Sequence, residues 1–111
     1  PGLTIYRFGA PLFYANAGRF SDEVLSLASL APPRWIIVDA SPITKVDFTA
    51  ARIIENLLAE LALRNVVLVF AHVEPELRSD LDRHHLTERI GRDHIFDRVH
   101  DAMAAWRRLD V

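Results

Sequence analysis

Two short runs without a polar residue, Trp35-Ile36-Ile37-Val38 and Val66 to Ala71, constrain this chain more than anything else in it. A strand with one wet face alternates apolar and polar residues. A strand that is apolar at every position is covered on both faces, as central strands between helical layers are. Neither run approaches the roughly 20 residues a membrane helix requires. Between them Ala50, Ile54, Leu57 and Leu61 recur at helical spacing and predict a long helix from Thr49. Strand, crossover helix and strand imply parallel strands joined with right-handed handedness.

The remaining segments extend this pattern. Leu3 to Phe8 alternates and reads as a half-exposed strand. Gly9-Ala10-Pro11 then turns the chain into Leu12-Phe13-Tyr14, which predicts an antiparallel hairpin. Asn16 is placed to cap a helix whose inner face is Phe20, Val24, Leu27 and Leu30, and Pro32-Pro33 stops it. Pro75 suits the first turn of a helix with Leu77 and Leu81 inward. Gly91 breaks the chain, and His94-Ile95-Phe96 reads as a brief edge strand. Asp97 is placed to cap a last helix facing inward through Val99, Met103 and Trp106. The expected architecture is α/β, a single domain over residues 1–111. Its sheet is mixed and mainly parallel, with an N-terminal antiparallel hairpin, packed by about four helices.

A chain of 111 residues buries a core without staples. It has no cysteine, which removes disulfides, thiolate nucleophiles and zinc–thiolate sites. A net charge of −2 gives no basic footprint for nucleic acid, so none is expected as a partner. The chain opens at Pro1-Gly2-Leu3 without an initiator methionine, so it is expected to be either processed or a piece cut from a longer protein.

In parallel sheets, ligands gather beyond the carboxyl ends of the strands. There the run from Asp39 through Ser41, Asp47 and Phe48 to Thr49 leads into the long helix. Free N–H groups and the helix dipole favour anions at such a start. Either Asp47 or Thr49 caps the helix, and Thr49 is also placed to accept a phosphate. No GxxxxGK[ST] or GxGxxG loop is present. The histidines show no metal-ligand spacing, since His84 and His85 are adjacent and point about 100° apart on a helix. No metal is expected. No serine sits in a G-x-S-x-G elbow, so no catalytic residue is assigned. Glu74, Glu76, Asp80 and Asp82 read as the first turn and wet face of one helix.

With these residues in hand, the chain resembles the STAS family, the domains shared by sulfate transporters and anti-sigma-factor antagonists. The resemblance covers essentially the whole chain. It rests on a D-x-[ST] turn opening the second long helix, here Asp47-Phe48-Thr49. The SulP-type anion permeases are the closer match. It is carried by Pro1-Gly2-Leu3-Thr4-Ile5-Tyr6-Arg7-Phe8, by Ala10-Pro11-Leu12-Phe13-Tyr14-Ala15-Asn16-Ala17 and by Val46-Asp47-Phe48-Thr49-Ala50.

The resemblance implies a STAS fold and a non-enzymatic regulatory or interaction domain on the cytoplasmic face of an anion transporter. Its first partner would be the membrane domain of the same transporter, with a homodimer or a cytoplasmic protein as others. It implies no obligate cofactor and leaves weak nucleotide binding open. Asp39, Ser41, Asp47, Phe48 and Thr49 form the expected anion, nucleotide or docking surface, with Thr49 the switch position. The alternative is a freestanding anti-sigma antagonist switched by phosphorylation of Thr49.

Overall fold

The computed structural model describes residues 2–30 and 32–109, with the side chain of Leu30 outside the description. Three strands, β1 (Leu3–Arg7), β2 (Trp35–Asp39) and β3 (Val67–Ala71), form a parallel sheet in the order β1-β2-β3. The register sets Ile5 beside Ile37 and Ile37 beside Val69. The crossovers are α1 (Ala17–Leu30) and α2 (Phe48–Leu63). After β3 come α3 (Pro75–Arg83), the single turn α4 (Thr87–Ile90), a 3₁₀ turn at Arg92–His94 and α5 (Val99–Leu109).

The wholly apolar runs do what their composition requires. In β2, Ile36 and Val38 enter one core with α1 and α2, while Trp35 and Ile37 enter a second core under α5. In β3, Leu68 and Phe70 join the first core, and Val69 and Ala71 the second. A period of two thus feeds two cores from a strand with no wet face. The stripe read for the long helix is buried at Ala50, Ile54, Leu57 and Leu61. Each such side chain contributes about 1.5–3 kcal/mol of transfer free energy for the larger aliphatics. The Glu60–Arg64 pair closes on the outer side at 3.2 Å. As an exposed pair it is worth at most about 0.5 kcal/mol.

The structure corrects the expected N-terminal hairpin. β1 pairs with β2 in parallel, and Leu12 forms one parallel bridge to Val46. The cause lies in burial. Phe8 and Leu12 are both 2% exposed or less and belong to the first core, so both ends of the link over residues 9–11 are anchored there and the chain does not fold back on β1. Asn16 also acts differently from the expected cap. Its Oδ1 accepts from Phe13 N–H at 3.0 Å and its Nδ2 donates to the Pro11 carbonyl at 2.8 Å. The side chain therefore knits the turn upstream of α1. The expected strand at His94–Phe96 reduces to a single parallel bridge, Phe70 to Ile95. Asp97 accepts from Arg78 at 2.9 Å, and the last helix starts two residues later.

Candidate functional site

The approach to α2 is built from backbone contacts between segments distant in sequence. Leu12 N–H donates to the Lys45 carbonyl at 2.9 Å, and Asp47 N–H donates to the Leu12 carbonyl at 3.1 Å. This fragment of parallel pairing sets Asp47 at the mouth of the helix. Asp47 is the N-cap, with extended backbone, and its Oδ1 accepts from Ala50 N–H at 2.8 Å. Its Oδ2 accepts from Tyr14 N–H at 2.9 Å. One carboxylate therefore both caps α2 and ties the Phe13–Tyr14 turn to it. Of the two caps the residues allowed, Asp47 is the one used.

Phe48 and Thr49 occupy the first two helical positions, whose N–H groups have no intrahelical acceptor. Thr49 is exposed, and Phe48 is 66% exposed. An aromatic side chain left this open, beside Tyr14 at 75% exposure, departs from the burial of the other aromatics in the first core. Phe48 is nonetheless framed. The His84 ring meets it edge-on at 6.4 Å, and the Arg52 guanidinium lies 5.9 Å from its centroid.

Beside this turn a cleft of 360 Å³ opens between the Pro11–Phe13 segment, the start of α2 and the end of α3. Pro11, Leu12, Phe13 and Phe48 supply apolar wall, Lys45 and Arg83 supply cationic groups, and the His84 ring completes the lining. Asp47 and Asp80 also line it, but both carboxylates are spent internally. Asp80 accepts from Val46 N–H and pairs with Arg83. The cleft thus presents apolar surface and the Lys45 ammonium, next to a helix start that favours negative charge.

The expected surface is only partly gathered here. Asp47 and Phe48 line the cleft, and Thr49 follows on the exposed first turn of α2. Asp39 and Ser41 lie at the end of β2, where Asp39 Oδ1 accepts from Ser41 N–H at 3.1 Å, a local turn separate from the cleft lining.

Asp80, Arg83 and His84 were missed. The structure corrects the wet acidic face expected at Asp80, which is 6% exposed and buried with Leu77 and Leu81. The signal was present. Residues 77, 80, 81 and 84 fall on one helical stripe, so an acid at 80 points inward. The other acids read with it differ: Glu74 and Glu76 are exposed, and Asp82 accepts from Thr87 Oγ1.

Among the described residues, no cluster of His, Asp or Glu is grouped to hold a metal ion, and no helix is long and apolar enough to cross a membrane. His84 Nε2 is engaged by the Val46 carbonyl at 3.0 Å.

Comparison with known proteins bears on this arrangement. The family model of the STAS domain matches residues 1–102. A Mycobacterium tuberculosis protein named as a probable sulfate transporter is 37% identical over 110 residues, taking in 97% of this chain and 20% of that protein. This chain spans about one fifth of the length of such curated relatives. Two solved structures share the fold. A sulfate transporter family protein from Wolinella succinogenes superposes with a TM-score of 0.87 at 24% identity, over 97% of this chain and 87% of that one. The STAS domain of a SulP transporter from Vibrio cholerae does so with a TM-score of 0.80 at 16% identity, over 98% and 84%.

Proposed function

Because the chain belongs to the STAS domain family, we propose that it is the regulatory and docking domain of a SulP-type sulfate or other anion transporter, acting at the cytoplasmic face of the membrane. Its partner in this reading is the membrane domain of the same transporter. The working surface is Asp47-Phe48-Thr49 with the adjoining cleft. Asp39 and Ser41, at the end of β2, stand outside this cleft. The domain performs no chemistry: it holds a shape against which the transporting part or a cytoplasmic protein rests.

One observation carries the reading. Phe48 stands 66% exposed on the first turn of α2, framed by His84 and Arg52 rather than buried. Exposed aromatic and cationic groups beside a rigid turn are what buried interface anchors are made of. The similarity to sulfate transporters supports the choice of partner.

The test is sulfate uptake by membrane vesicles carrying the full polypeptide that contains this domain. Phe48→Glu and Thr49→Lys should change the uptake rate while the isolated domain melts as the parent does. Uptake equal to the parent in both variants would remove the turn from the account.

A second reading is favoured by one feature, the exposed hydroxyl of Thr49 at the second helical position. A phosphate there would add about −1.5 to −2 charges where the dipole of α2 favours them. In that case the domain is an antagonist switched by a kinase. Mass spectrometry after incubation with a cognate kinase tests it, and an unmodified Thr49 excludes it.

A further inference from the structure

Asp80 of α3 and His84, its C-cap, hold the two peptide groups that flank Val46, just upstream of the turn. Val46 N–H donates to Asp80 Oδ2 at 2.9 Å, across 34 residues of sequence. The Val46 carbonyl lies 3.0 Å from His84 Nε2, across 38 residues. Since a carbonyl only accepts, that nitrogen carries the proton. Asp80 is buried at the base of the cleft and meets Arg83 on the solvent side. A buried carboxylate is costly unless it is paired and hydrogen-bonded. An apolar residue at this inward position would pack with Leu77 and Leu81, but it would leave the Val46 N–H without its acceptor.

The consequence reaches beyond Val46. The next residue is Asp47, whose two carboxylate oxygens hold Ala50 N–H and Tyr14 N–H. The direction of the Val46 peptide sets where that carboxylate stands. The His84 ring, besides holding Val46, meets Phe48 edge-on. We propose that Asp80 and His84 are positioning residues for Asp47-Phe48-Thr49, so that α3 governs the shape of the docking turn. This rests on the reading of that turn as the working surface, and it adds the element that regulates it. A partner that displaced α3 would loosen the turn, and one that fixed α3 would hold the turn ready.

Amide hydrogen exchange followed by NMR on this chain tests the proposal without any partner. In Asp80→Ala, exchange should accelerate at Val46. It should also accelerate about ten-fold or more at Ala50 and Tyr14, which Asp80 does not touch, relative to the β2 amides. Asp80→Asn keeps an acceptor oxygen and should restore most of the protection. His84→Leu should act in the same direction, and His84→Gln, which keeps a donor, should act less. If Asp80→Ala does not fold, the His84 pair and Asp80→Asn carry the comparison. Acceleration spread equally over β2 and the turn would reduce both residues to general stability and overturn the proposal. So would unchanged exchange at Ala50 and Tyr14. Either result leaves the uptake test of Phe48→Glu standing, whereas normal uptake in that variant removes the docking reading and leaves the exchange effects in place.

Discussion

At the scale of single residues, the fold concentrates several duties on one carboxylate. Asp47 caps α2 through Ala50 and anchors Tyr14 through its second oxygen. Asp47→Ala should therefore cost more than a simple cap, about 1–3 kcal/mol in urea unfolding. Asp47→Asn keeps an acceptor for Ala50 and should recover part of that loss. A cost within 0.5 kcal/mol for the alanine variant, about what ordinary surface changes cost, would mean that neither bond matters. A second residue sets a pH dependence. The Tyr6 hydroxyl donates to the Glu23 carboxylate, and burial first, then this bond, push the Tyr6 pKa well above its ordinary value of 10.0. The folded state thus favours the neutral phenol. Its contribution is complete below pH 10 and is lost as the pH climbs beyond that toward the raised folded value. Tyr6→Phe should flatten the alkaline fall in stability. An identical fall in both proteins would show that the phenol does not contribute.

At the scale of elements, the residues legible in sequence were those whose burial follows a period. The two-sided strands and the Ala50–Leu61 stripe announce themselves because every position is dictated by the core. The segment Leu12-Phe13-Tyr14 misleads because its local composition suits a strand. Its place is decided by long-range burial of Phe8 and Leu12, which no local pattern records. Of the candidate site, the spacing narrows the cap to Asp47 or Thr49, while the choice of Asp47, its bond to Tyr14 and the α3 clamp need the tertiary fold. The junction of α4 and the 3₁₀ turn was legible as a glycine. Gly91 has φ of +98°, and an added Cβ would stand 3.2 Å from both Asp93 Oδ1 and His94 Nδ1. Gly91→Ala should destabilise by about 1–2 kcal/mol. An unchanged urea midpoint would contradict that conformation. On the sheet, Ile5 is 49% exposed while its neighbour Ile37 is fully buried. Ile5→Thr should change stability by less than about 0.5 kcal/mol, and Ile37→Ala should cost about 2–5 kcal/mol. Equal costs would mean that α5 covers β1 as fully as it covers β2.

At the scale of the whole molecule, the two faces of the sheet differ in what they leave open. Two long crossover helices close one face, and α5 packs on β2 and β3 of the other. The exposed aromatic groups Phe13, Tyr14 and Phe48 gather at the start of α2, around the turn held by a carboxylate cap and an α3 clamp. In the proposed reading, this surface rests against another protein. The most direct measurement is photo-crosslinking in the full polypeptide, in its membrane, with a photoreactive residue at position 48 and a control at exposed position 100 on α5. The expected result is a crosslink from position 48 into the membrane domain, with position 100 giving less. No crosslink from position 48, or equal capture from both positions, would contradict the account.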